Sequence, residues 1–201
     1  PLLRNREGVP HSSGEAVNKM KTGILTLMLT MILAVGAMAQ TEDLLISEYV
    51  EGTASNLAVE IFNGTSDTVN LAGYAIEVYA NGTTTAVSIA LDAVDMEPGD
   101  VFVIAHTGFS QPTLANQFDA ELNFSGNDAL VLAFGGVAVD RFGRVGEDPG
   151  DYWACASGTT QNHTLRRLPG VCEGSLPVDA VFDPCDGWEF FAVDTLDGLG
   201  S

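Results

Sequence analysis

The sequence predicts an all-β domain, built as a sandwich or barrel, over residues 40–201. Three observations carry this. Short β-rich runs recur along the chain, and pairs of turn residues such as Asn63-Gly64, Asn81-Gly82 and Gly135-Gly136 punctuate them. Between Tyr74 and Ala80 the apolar Tyr74, Ile76, Val78 and Ala80 alternate with Ala75, Glu77 and Tyr79, the period of a half-buried strand. Several strands at such spacing pack as a sandwich or close as a barrel.

The first expected strand is Leu44 to Val50 (LLISEYV), closed by the polar turn Glu51 to Asn56. Leu57 to Phe62 (LAVEIF) follows and ends at Asn63-Gly64, a dipeptide that favours the left-handed backbone of a tight turn. Val69 to Leu71 and Tyr74 to Ala80 come next, the latter ending at Asn81-Gly82. Val87 to Leu91 and Val101 to Ala105 continue the series, with Pro98-Gly99-Asp100 delivering the chain into the second of them. Pro112 to Gln117 is the only helix-like stretch, and it is short. Ala129 to Phe134 and Val137 to Phe142 read as a hairpin across Gly135-Gly136. Beyond it the chain from Gly143 to Trp153 is loop-like and acidic. His163 to Leu168 (HTLRRL) is expected as a returning edge strand, and Trp188 to Val193 as a last apolar segment resting Trp188 and Phe190 or Phe191 on the core. No internal repeat or low-complexity linker interrupts this single domain.

Residues 20–39 read differently, as a cleavable secretory signal peptide in helical form. Lys19 and Lys21 give a short positive start, Gly23 to Gly36 is almost wholly apolar, and Ala37 and Ala39 fit a signal peptidase site before Gln40. The apolar run is shorter than the ~20 residues a spanning helix needs, so no membrane span is expected after cleavage. The polar stretch 1–19 precedes Met20 and is set aside as a non-structural upstream segment. The expected location is secreted, periplasmic or extracellular.

Cutting there changes the charge balance. The whole chain has a formal charge of −19, but residues 40–201 keep 25 of the 27 acidic residues and only four of the eight basic ones, a formal charge of −21. Those four are Arg141, Arg144, Arg166 and Arg167, and lysine is absent. Such a surface repels phosphate backbones, so direct nucleic-acid binding is disfavoured, as is an anionic membrane. The expected partner is instead another protein or an extracellular or cell-surface ligand.

Residue types at spacings that carry chemistry are scarce. There is no G-x-S-x-G elbow, H-E-x-x-H pair or EF-hand loop. His106 ends a buried run and His163 reads as a surface residue. No catalytic residue and no organic cofactor is expected. Glu147, Asp148 and Asp151, around Pro149-Gly150, are the candidate metal ligands, because carboxylates on one turn suit Ca²⁺. Arg166-Arg167 is expected to pair with nearby acids. Tyr49, Tyr79, Tyr152 and Trp153 are either core or an aromatic binding patch. Cys155, Cys172 and Cys185 are disulfide candidates: export permits a bridge, the odd count leaves one thiol over, and spacing does not choose among three pairings.

The order of motifs adds a resemblance. LLISEYVEG, AVEIFNGT, VNLAGYAIEVYANG, GDVFVIAH, NFSGNDALVL, VDRFGRVGEDPG, HTLRR and FAVDTLDGLGS resemble, in that sequence, the lamin-tail domain of secreted bacterial proteins. The resemblance runs from about Asp43 to the end. It implies an immunoglobulin-like β-sandwich and a non-catalytic module for binding, adhesion or tethering. The alternative it implies is an accessory domain of a secreted endonuclease/exonuclease/phosphatase-type hydrolase whose catalytic domain lies beyond Ser201.

Overall fold

The computed structural model describes residues 41–201, and the expected signal peptide and upstream segment lie outside them. In chain order the strands are β1 (Leu45–Glu51), β2 (Leu57–Phe62), β3 (Val69–Asn70), β4 (Tyr74–Tyr79), β5 (Val87–Ala90), β6 (Asp95–Met96) and β7 (Val101–Ala105). They continue with β8 (Gln117–Phe118), β9 (Ala129–Phe134), β10 (Val137–Phe142), β11 (Ala154–Cys155), β12 (Gly158–Thr159), β13 (His163–Arg167) and β14 (Trp188–Phe191). A 3-10 turn at Pro112–Leu114 occupies the stretch expected to be helix-like.

Two sheets face one another as an immunoglobulin-like sandwich. One has six strands in the order β14-β13-β1-β2-β7-β8, and the other has four in the order β10-β9-β4-β5. Pairing is antiparallel except between β7 and β8. The core lies between the sheets, where Ile46, Tyr49, Val59, Ile61 and Ile104 of one meet Ile76, Val78, Leu130, Leu132 and Phe142 of the other. Tyr49 stacks on Phe142 with ring centres 4.0 Å apart, and Trp188 meets Phe142 edge-on at 5.0 Å. Burial of these large side chains is the main force closing the sandwich.

Turn chemistry explains which expected hairpins form. Gly135 and Gly136 adopt φ of 57° and 80° and join β9 to β10 in a tight turn, as their lack of Cβ allows. Asn81 and Gly82 also enter the left-handed region, between β4 and β5. Asn63-Gly64 behaves differently, since β2 pairs with β1 and β7 rather than turning back on β3. The Asn63 side chain is fully buried and donates to the carbonyls of Asp67 and Met96 while accepting from Thr65 N. It organises the loop instead of reversing the strand.

A second correction concerns β13. The HTLRR segment is internal rather than an edge, because β1 flanks it on one side and β14 on the other. The WEFF segment takes the edge position, with Trp188 in the core and Phe191 turned outward over Arg166.

The last third of the chain is stapled by Cys155–Cys185, with Cα atoms 5.8 Å apart across 30 residues. A loop of that length gives about 3–4 kcal/mol of stabilisation in the chain-entropy account. Cys172 does not join that bridge; its Sγ lies 3.2 Å from Gly170 O. Among the described residues no helix is long and apolar enough to cross a membrane.

Candidate functional site

β1 is buried on both faces, and this is the local fact from which the site grows. Its inward side chains join the main core. Its outward ones, Glu48 and Val50, lie under a C-terminal strap running from Asp194 to Gly200. Leu196 and Leu199 of the strap form a second small apolar cluster with Val50, Ala58, Val103, Ala105 and Phe109 on the outer face of the six-stranded sheet.

Across this outer face runs a row of charged residues in cross-strand register. Glu60 of β2 lies opposite Glu48 of β1, and Glu48 lies opposite Arg166 of β13. Arg166 Nε donates to Glu48 Oε2 at 3.0 Å, and its Nη2 donates to Asp197 of the strap at 2.5 Å. Glu60 accepts from Ser47 Oγ at 2.7 Å and from Gly200 N at 2.6 Å. Two carboxylates thus share one guanidinium, and Glu60 stands beside them on neutral donors. Burial pushes the Glu48 carboxyl up to about 7 against the pull of Arg166, and among the described residues Glu48 Oε1 has no hydrogen-bond partner. Burial raises Glu60 too, opposed by its two hydrogen bonds. Asp197, bonded to Arg166 and open to solvent, is held below the usual carboxylate range.

Two further carboxylates hold networks of their own, Asp140 on the inner side of β1 and Asp194 in the strap. Asp140 is fully buried and accepts from Ile46 N at 2.8 Å, Ser175 N at 2.8 Å and Arg167 Nη2 at 2.5 Å. Arg167 Nε donates in turn to Ile46 O at 2.6 Å. The β1–β2 register shifts between Ile46 and Glu48, so this ion pair takes up both polar groups of a residue beside an irregular ladder. Asp194 accepts from Thr53 N at 2.9 Å, Thr53 Oγ1 at 2.7 Å and Asn56 Nδ2 at 2.9 Å, which ties the strap to the β1–β2 turn. An open cleft of about 540 Å³ beside the strap is lined by Gln111, Leu114, Thr195 and Leu199 together with Asp194 and Asp197.

The residues singled out from sequence are placed as follows. Glu147 Oε2 pairs with Arg144 at 3.1 Å, Asp148 Oδ1 caps Gly150 N at 2.9 Å, and Asp151 is exposed. Among the described residues the only set of three ligand atoms within 4.8 Å of one another belongs to Cys155, Asp183 and Cys185, so the structure does not draw Glu147, Asp148 and Asp151 together in that way. Two of that set are spent in the disulfide, and Asp183 caps Cys185 N at 2.9 Å. Arg166-Arg167 pairs with acids, as expected. The four aromatics do not form one patch: Tyr49 and Trp153 are buried, Tyr79 donates to Glu77 at 2.7 Å, and Tyr152 is exposed. His106 Nδ1 accepts from Gly108 N, and His163 sits edge-on to Phe190.

Glu48, Glu60 and Asp140 are not among the candidate residues named from the sequence. A usable signal existed for all three: each sits within a largely apolar strand run, where an ionisable group persists only with partners.

The fold and this row define an immunoglobulin-like sandwich whose charged residues hold its own elements together. The match to a family model is consistent with that class. The Lamin Tail Domain model matches residues 37–146, more than half the chain, and the chain belongs to that family. No curated protein matches the chain.

Proposed function

We propose that this chain is an exported, non-catalytic lamin-tail module used for binding, adhesion or tethering. The observation that carries the reading is where its cations are. Arg144, Arg166 and Arg167 are engaged in ion pairs, and Arg141 is buried against the carbonyls of Gly143 and Val181. Among the described residues no cation therefore faces an open cleft in the way a phosphoester or acyl reactant would need for charge stabilisation. The Cys155–Cys185 bridge supports export, since such bonds persist in oxidising compartments.

Expression of the full chain in a secreting bacterial host tests both halves. The expected result is a mature N-terminus at Gln40 outside the cytoplasm, and retention at the cell surface of a reporter enzyme joined after Ser201. Full recovery from the cytoplasm, or a reporter released wholly into the medium, would overturn the reading. So would phosphodiester hydrolysis by the purified chain that is abolished by substitution of its carboxylates.

A further inference from the structure

The two sheets end in four edges, and these are not treated alike. The outer edge of β10 is approached by residues 174–175, where Ser175 N bonds Asp140 and Gly174 lies so close to Val139 O that a Cβ there would sit 1.9 Å from it. β14 carries Glu189, and β8 is only two residues long. These are the usual devices that keep an edge from pairing with another chain: cover, charge and shortness. β5 carries no charge, and among the described residues its only cover is Gln117 at the Ala90 end. From Val78 to Leu91 the chain carries no charge and no proline, and Val87, Ser88 and Ala90 are exposed.

The direction of the free backbone groups follows from the register. Leu91 N bonds Tyr74 O, so Tyr74/Leu91 is a hydrogen-bonded pair, and by alternation so are Ile76/Ile89 and Val78/Val87. Ser88 and Ala90 therefore turn their N–H and C=O groups away from β4. Gln117 confirms the geometry from outside, because its Nε2 donates to Ala90 O at 2.9 Å and its Oε1 accepts from Asp92 N. Among the described residues nothing pairs with the outward groups of Ser88. The edge is open from Ser88 toward Thr84 and is closed at Ala90 by Gln117.

Acidic groups frame it. Asp92 stands just past one end, and Glu77 lies across from Ser88 on the same face. At the other end Gly82 packs against the backbone of Glu147 and Asp148; Arg144 neutralises Glu147, while Asp148 is exposed. The described domain of a second copy, residues 41–201, would bring the same acids, with its four arginines already engaged. The complement must come from elsewhere.

We propose that the free edge of β5 is a docking strand for an extended, lysine- or arginine-bearing segment of another protein. This rests on the binding-module reading and names its surface. Main-chain pairing with Ser88 supplies the fixed geometry, and basic side chains at the ends of the added strand meet Asp92 and Asp148.

The test titrates the full chain with a synthetic peptide of alternating valine and lysine, a valine–glutamate counterpart, and a valine–lysine peptide N-methylated at alternate residues. The valine–lysine peptide is expected to slow hydrogen exchange at the Ser88 amide and to weaken with added salt, and N-methylation is expected to lower affinity about tenfold or more. Ser88→Pro removes the outward donor and leaves the β4 ladder intact, with the same expected loss; Ser88→Lys is the second variant should proline disturb folding. Equal binding of the acidic and basic peptides, or no added protection at Ser88, overturns the proposal. Pairing of two copies through β5 without peptide also overturns it. Failure of surface retention with peptide docking intact would count against tethering and leave this edge standing.

Discussion

The two faces of the six-stranded sheet solve the same problem with different materials. The inner face is apolar and interlocks with the facing sheet, Tyr49 lying flat on Phe142. The outer face buries Glu48 at 2% exposure and Glu60 at 4%, and covers them with a short irregular strap instead of a sheet. Apolar packing is insensitive to pH and needs only shape. A buried carboxylate row depends on polar partners, and the strap contributes Gly200 N to Glu60 and seats Asp197 on Arg166. The lesson is that the second face is specified by polar satisfaction, so it should fail under different conditions from the first.

Substitutions separate the two. Tyr49→Ala removes a fully buried ring from the inner face and should cost about 4 kcal/mol in urea unfolding, at every pH. Asp140→Ala should come next, at about 3 kcal/mol, because it strands the buried guanidinium of Arg167 and two backbone donors. A loss under 1 kcal/mol there would mean that water reaches Arg167 and that this ion pair is not sealed.

The outer face should carry the pH dependence. Glu48 keeps its proton to about pH 7 in the fold, against an ordinary value of 4.5. A carboxyl raised on folding stabilises at low pH, and that share is lost as pH climbs through the folded value. Glu48 should therefore withdraw up to about 2–3 kcal/mol between pH 4.5 and 7. Glu48→Gln should flatten that part of the stability curve, and an unchanged slope would show that Glu48 is not the group responsible. The smallest effect is expected at Asp194→Ala, about 1–2 kcal/mol, through loss of three hydrogen bonds to Thr53 and Asn56. Hydrogen exchange at Leu199 and Gly200 should quicken more than at core amides, because the strap loosens before the sheets part.

Much of the fold was legible along the chain. β2, β7, β9 and β10 fall on the expected spans, since period-two alternation and Gly-Gly or Asn-Gly pairs are local properties. Asn63-Gly64 looked like Asn81-Gly82 yet behaves otherwise, because Met96 and Asp67 offer carbonyls that capture the Asn63 amide. The HTLRR segment read as an edge for a related reason: a strand with two arginines appears exposed until Glu48 and Asp140 are seen to receive them. The acidic turn at Glu147, Asp148 and Asp151 shows the reverse. Closeness in sequence did not bring its carboxylates to one point, since each is drawn to a different neighbour or to solvent.

By itself the sequence determined the β class, the hairpin at Gly135-Gly136, the motif order of a lamin-tail domain and the need for any bridge to lie in the last third. Those are written in nearest-neighbour terms, in period, turn conformation and cysteine position. Only the tertiary structure decided that Cys155 pairs with Cys185, that Glu48, Glu60 and Arg166 form one row, and that among the described residues β5 is open at Ser88 while β10 is approached by residues 174–175. Each of these joins residues far apart in sequence. Which distant groups meet is set by how two sheets and a strap close over one core, and no local pattern carries that information.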